Sequence, residues 1–566
     1  MSGLEAAVRS RRGSWTADRV ADRLWAKDGT LWAASGTAPE AVAAWLGWLD
    51  LPEAMRARVP ELEHLARDVR EDGYRRAAVL GMGGSSLAPE LFSRVFGWAG
   101  GAAGGGAASP DGLELRILDS THPDVVRGFR SWASGQRTLF IVSSKSGTTT
   151  EPNAFQAAMG GIAPALDFIA ITDPDTALAE LARAQEFRAI VTAPPDVGGR
   201  YSALSVFGLV PAALHGVDLG GLLGAARRMA DACRVADADA NPGLRLGAFM
   251  GEAAIAGRDK LTLLTGERLA AFGDWAEQLV AESTGKAGVG IVPIVGEPLR
   301  EPHEYADDRC FVRIRLAGEH EPALDALADG LEEGGHPVER LELAGPLEVG
   351  AEFVRWEVAT AVAGIVLGID PFDQPNVQES KDATTQLLEA YRTRGALPVP
   401  MPLVSEPGVA VSADPEAIGG VPVSVDGALA QLLGHARAGT DYVALLAYLS
   451  KDPPIEARLQ AIRARIGAAT GAATTLGFGP RFLHSTGQLH KGGPDSGVFL
   501  QLTADPSKDL PIPGWAESFG ILIAAQALGD LASLQKRGRR AMRLHVGDLE
   551  AGLARLEAMV GATLSV

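Results

Sequence analysis

Thr138–Glu151 reads TLFIVSSKSGTTTE, and the class of the whole chain follows from how this stretch is read. Leu139 to Val142 form a short apolar run, the mark of a buried strand. Ser143, Ser144, Lys145, Ser146, Gly147, Thr148, Thr149 and Thr150 follow, and Pro152 suits the first turn of a helix. A phosphate dianion is held by backbone amides at a helix N-terminus, by short hydroxyl donors, by a glycine that lets the backbone approach, and by a cation. All of these features fall within this one loop. An N-capped helix behind a Ser/Thr-rich loop would need fewer of them, so the loop is read as a phosphate cradle.

Working outward, AAVLGM (77–82), LELRILDS (113–120), DFIAITD (167–173) and FRAIVTA (187–193) are further strand candidates, with helical patterns between them. Strands alternating with helices predict a parallel sheet covered on both faces. Ligands of such sheets lie beyond the carboxyl ends of the strands, where both GMGGSS (81–86) and the Ser/Thr loop fall. A helical stretch (203–256) leads to a second alternating block with strands at 260–266, 289–295, 311–316 and 337–343. The expected architecture is α/β, with two parallel sheets flanked by helices. Residues 1–60 form a helical N-terminal region, 61–215 and 257–400 the two sheet domains, 216–256 connecting helices, and 401–566 a C-terminal α/β extension. GAAGGGAASPDG (101–112) reads as a flexible surface loop, and 401–430 as irregular. Trp15, Trp25, Trp32, Trp45 and Trp48 suit a helical cap packed on a larger body.

Composition narrows the function. A chain of 566 residues with 46% hydrophobic content can build more than one core. A net charge of −18 without a basic stripe argues against nucleic acid but leaves room for a small anionic ligand. Cys233 and Cys310 make neither a metal spacing nor a disulfide framework, which fits a reducing compartment. The N-terminus lacks a signal-type apolar region, and Val358–Ile369 is too short to span a bilayer, so a cytoplasmic protein without membrane contact is expected.

Other stretches carry candidate chemistry. GMGGSS lacks the spacing of a dinucleotide loop, which argues against NAD. GGRYS (198–202) puts Arg200 after two glycines, where it could stabilise developing negative charge. In DWAEQLVAESTGK (274–286), Asp274 suits an N-cap and Gly285 the helix end, while Gln278 and Glu282 share one face. Glu282 falls in the last turn, where the helix dipole favours proton uptake, a trait suited to a general base. GIDPFDQPNVQESK (368–381) ends one helix and starts another, with Lys381 in its early turns. RFLHSTGQLHKGG (481–493) reads as a binding loop holding His484 and His490, spaced unlike a metal pair. Neither cofactor nor metal is implied.

Together GMGGSSLAPE, SSKSGTTTEP, GGRYSALS, AESTGK, DPFDQPNVQESK and LHSTGQ resemble motifs of the glucose-6-phosphate isomerase family. The chain is most similar to the isomerase half of fused transaldolase–phosphoglucose isomerase proteins. The resemblance implies two sugar-isomerase (SIS) domains and reversible conversion of glucose 6-phosphate to fructose 6-phosphate through a cis-enediol. It implies phosphate binding by Ser144, Lys145, Ser146, Thr148 and Thr149, with Gly84 and Ser85 nearby. Glu282 would be the base, Arg200 would stabilise the enediolate, Gln278 would contact the sugar, and His484 and Lys381 would open the ring. His303, in REPHEYADD, occupies the family's usual histidine place by spacing but lacks the surrounding motif, so His484 is preferred and His303 stays the alternative. Activity on mannose 6-phosphate, or sugar-phosphate binding without catalysis, are the competing functional readings. The expected partner is a small sugar phosphate, and the family pattern allows a homodimer.

Overall fold

The computed structural model describes residues 3–97 and 111–563; residues 101–110 of the glycine-rich loop lie outside them. The first sheet contains β1 (Arg76–Gly81), β2 (Glu114–Leu118), β3 (Thr138–Ser143), β4 (Phe168–Thr172) and β5 (Ala189–Thr192) in the order β2-β1-β3-β4-β5, all parallel. Every residue of β3 is buried, as its unbroken apolar run requires of a strand covered on both faces. The chain runs from β1 to β2 on one side and then crosses to β3 on the other. The loops after β1 and β3 therefore diverge from a switch point, with Gly81 paired to Ser143 at the carboxyl end.

The second sheet, β6 (Lys260–Thr265), β7 (Val292–Ile294), β8 (Arg309–Leu316) and β9 (Val338–Leu343), is also parallel, in the order β7-β6-β8-β9. Helix Val349–Leu367 contains most of the apolar run at 358–369 and is buried along most of its length. Among the described residues no helix is long and apolar enough to cross a membrane.

The C-terminal region contributes a third sheet of β10 (Val404–Glu406), β11 (Val409–Ala413), β12 (Tyr442–Tyr448), β13 (Ala473–Phe478), β14 (Gly497–Ala504) and β15 (Arg540–Val546), ordered β10-β11-β15-β14-β12-β13. Two features depart from the expectation. The stretch 401–430 is not wholly irregular, because β10 and β11 form an antiparallel hairpin that extends the sheet along β15. Strand β15, which the sequence reading did not assign, lies between helices Phe519–Lys536 and Leu549–Thr563.

The tryptophan cap is anchored on the loops beyond the first sheet. Trp48 stacks on Tyr201 at 5.1 Å between ring centroids, and Trp32 meets Phe372 edge-on at 5.2 Å. Leu46 forms an isolated antiparallel bridge with Val197, and the Gly47 amide donates to the Asp196 carbonyl at 3.1 Å. The N-terminal region is thereby fastened to the segment that delivers Arg200.

Candidate active site

A cavity of about 420 Å³ opens beyond the carboxyl ends of β1 and β3. On one wall stand Gly84, Ser85, Ser144, Lys145, Ser146 and Thr149; on the other stand Arg200, Gln278, Glu282, Lys381 and His484. Thr148 faces a neighbouring cavity instead, its hydroxyl 3.0 Å from Ser146 Oγ. His303 lies exposed in a short turn at Pro302–Glu304, away from this cavity.

Glycine makes the close approach of the loops feasible. A Cβ on Gly84 would lie 1.9 Å from the Gly199 carbonyl oxygen, and Gly83 takes φ +53° beside the Gln278 amide. GMGGSS and GGRYS are therefore packed backbone to backbone, which brings Arg200 to the rim of the Ser/Thr loop.

Helix Ala270–Thr284 supplies Gln278 and Glu282 one turn apart on the cavity side. Glu282 Oε1 lies 3.5 Å from Arg200 Nη1, and its Oε2 accepts from Gln278 Nε2 at 3.1 Å. The same amide nitrogen donates to the His484 carbonyl at 2.8 Å, which ties the helix to the His484 turn. Asp274 is not an N-cap: the helix begins four residues earlier, at Ala270, and Asp274 pairs with Arg481 at 3.2 Å. Gly285 does follow the helix, at φ −79° and ψ 72°.

Arg200 is 3% exposed and is held by Ser283 Oγ, Gln374 Oε1 and the carbonyls of Pro371 and Asp373, at 2.7–2.9 Å. Lys286 reaches the same turn, donating to the Asp370 carbonyl at 2.8 Å and to Asp373 Oδ1 at 2.7 Å. Burial and the Arg200 charge bring the Lys286 ammonium down to about 8 despite Asp373. Two cations thus pin the 370–374 turn from which helix Val377–Arg394 departs, and Lys381 stands exposed on that helix at the cavity edge.

His484 ends a short 3₁₀ turn, Arg481–His484, followed by the short helix Gly487–Gly492, so the expected open loop is locally helical. Its Nε2 lies 3.2 Å from Oε1 of Glu151, the residue that closes the Ser/Thr loop. Glu151 is buried and also accepts from Gln526 Nε2 at 2.7 Å, while Gln526 Oε1 accepts from Thr121 Oγ1 at 2.7 Å. Burial alone would raise the Glu151 carboxyl; the charge and hydrogen bond of His484, with Lys381 nearby, outweigh it and hold the group below the usual carboxylate range. His490 is fully enclosed against Phe499 and Phe482, and burial lowers its basicity.

The sequence gives no site role to Glu151 or Asp173, and places Trp45 only in the helical cap. Asp173 forms an ion pair with Lys145, and Lys145 Nζ also donates to the Pro195 carbonyl at 3.0 Å. Trp45 walls that end of the cavity, its ring centroid 5.7 Å from the same ammonium. Among the described residues Ser143 Oγ and Gln278 Oε1 are buried without a hydrogen-bond partner, and both residues line the cavity. Orphaned polar atoms on a cavity wall suit a polar ligand that would satisfy them. Among the described residues no group of three His, Cys, Asp or Glu side chains could hold a metal ion.

No protein-family model matches the chain. The glucose-6-phosphate isomerase of Symbiobacterium thermophilum is 30% identical over 396 residues, which cover 61% of this chain and 87% of that protein. The chain belongs to the glucose-6-phosphate isomerase family. The glucose-6-phosphate isomerase of Rubrobacter xylanophilus is 29% identical over 60% of this chain and 88% of its own length. Two crystal structures share the fold: a hypothetical protein of Thermus thermophilus (TM-score 0.56, 24% identity, 68% of this chain and 97% of that one) and the glucose-6-phosphate isomerase of Chlamydia trachomatis (TM-score 0.52, 18% identity, 68% and 86%). The glucose-6-phosphate isomerase fold thus accounts for the two parallel sheets, built as SIS domains.

Proposed function

We propose that Glu282 is the base in the reversible isomerisation of glucose 6-phosphate to fructose 6-phosphate that this chain catalyses. The observation that carries the assignment is the convergence of Glu282, Arg200 and the Ser/Thr loop on one cavity of about 420 Å³.

The phosphate sits against Ser85, Ser144, Ser146 and Thr149 at the N-terminus of helix Thr150–Gly160, where the first-turn amides favour an anion. Lys145 contributes charge at this end, and Thr148 supports the loop through Ser146. His484 and Lys381 open the sugar ring, with Glu151 positioning the imidazole through its 3.2 Å contact with Nε2. Glu282 removes the proton from C2 and returns it to C1. Arg200, 3.5 Å from that carboxylate, faces the negative charge of the enediolate intermediate. Gln278 orients Glu282 through its amide N–H and leaves its carbonyl oxygen for a sugar hydroxyl. Domain limits at 61–215 and 257–400 for the SIS units, with 401–566 as a separate C-terminal unit, fit the division of the strands among three sheets.

A dehydrogenase-coupled assay with fructose 6-phosphate, with and without EDTA, tests this reading. Turnover unaffected by the chelator is expected. Tight sugar-phosphate binding without turnover would instead identify a binding protein.

A further inference from the structure

A second cavity of about 230 Å³ adjoins the first and shares Thr149, Val377, Lys381 and His484 as its partition. Its own wall carries hydroxyl residues: Thr148, Thr150, Ser380, Thr384 and Thr385. Ser380 is 6% exposed, and its Oγ has no hydrogen-bond partner among the described residues. Helix Val377–Arg394 starts at this wall and lines it over its first three turns, and Thr150 and Glu151 of helix Thr150–Gly160 border it. Lys381 adds a cation. Glu151, the carboxylate on the wall, is committed to His484 and Gln526. A buried hydroxyl left without a partner in the first turn of helix Val377–Arg394, beside an ammonium and further hydroxyls, is suited to an anion.

We infer that this annex is a second phosphate-binding subsite. The inference rests on the reading that places the substrate phosphate at Ser144 and the ring-opening pair at His484 and Lys381. A hexose phosphorylated at both ends then seats one phosphate in the Ser144 loop and passes its C1 phosphate between His484 and Lys381 into the annex. Free inorganic phosphate offers the same chemistry, and the two sources are separable by experiment.

The test is isothermal titration of the full chain, of Ser380→Ala and of Thr384→Val with fructose 6-phosphate, fructose 1,6-bisphosphate and inorganic phosphate. Turnover of fructose 6-phosphate is measured in parallel. Neither substitution touches the proposed catalytic groups, so turnover within twofold of wild type reports an intact fold. If the annex takes a bisphosphate, fructose 1,6-bisphosphate binds wild type at least tenfold tighter than fructose 6-phosphate, and each variant loses most of that advantage. If it takes the free ion, inorganic phosphate binds wild type already saturated with fructose 6-phosphate and fails to bind the variants so loaded. Wild type showing neither behaviour, or variants retaining it in full, overturns the subsite. Absent turnover with binding intact would count against the isomerase reading alone.

Discussion

Arg200 Nη1 and Glu282 Oε1 stand 3.5 Å apart on one wall of the cavity, one delivered by the loop after β5 and the other by the helix after β6. Both side chains are buried, so the pair interacts through little screening water. Removing the carboxylate while keeping the shape should abolish proton transfer but not binding. Glu282→Gln is expected to lower kcat by about 10²–10⁴-fold with KM little changed, as read from steady-state kinetics. Arg200→Lys loses the fork that grips Ser283, Gln374 and the 370–374 turn, and should lower kcat and melting temperature together.

The two candidate histidines give opposite expectations. His484→Ala should reduce turnover of the cyclic sugar by about 10²-fold or more. The exposed His303→Ala should stay within twofold of wild type. Glu151→Gln removes the carboxylate that holds His484 Nε2 at 3.2 Å, so kcat for the cyclic sugar should fall about tenfold while KM changes little. Unchanged kcat with a lowered melting temperature would assign Glu151 a purely structural role.

The tryptophans of the cap divide by environment. Trp32 is 1% exposed, donates to the Ala361 carbonyl at 2.8 Å and supports Phe372, so Trp32→Ala should destabilise the fold by about 3–5 kcal/mol in denaturant titrations. Trp45 is 36% exposed and walls the phosphate end. Trp45→Ala should leave stability within about 0.5 kcal/mol of wild type and raise KM for fructose 6-phosphate.

On the opposite face of the Glu282 helix, burial and repulsion from Asp274 push the Glu277 carboxyl up to about 8, against the pull of Arg481, Arg463 and the Ser485 hydroxyl. The folded state therefore holds a proton that the unfolded chain releases near 4.5, and this contribution to stability is lost as pH rises from 4.5 through 8. Glu277→Gln keeps a neutral group there. Thermal melts should show the variant gaining on wild type at pH 8.5, with the difference closing near pH 4.

Much of the site was legible in the sequence because each loop carries its chemistry locally. The hydroxyls, glycine and lysine of 143–150 lie in consecutive positions, and strand β3 leads directly into them. The Glu151–His484 contact was not legible, since 333 positions separate its members and only the packing of the third sheet brings them together. Asp274 resembled an N-cap because its side chain suits one, but Arg481, far along the chain, fixes it inside the helix. Strand β15, RAMRLHV, was hidden between two long helices, and its partners β11 and β14 lie elsewhere in the chain. Local composition identifies a loop's chemistry; it does not identify a distant partner.

The most direct test follows hydrogen rather than product. Fructose 6-phosphate incubated with the enzyme in D₂O and examined by proton NMR should yield glucose 6-phosphate deuterated at C2. Folded Glu282→Gln should neither isomerise the sugar nor exchange its hydrogen with solvent. Exchange by that variant at the wild-type rate would contradict Glu282 as the base.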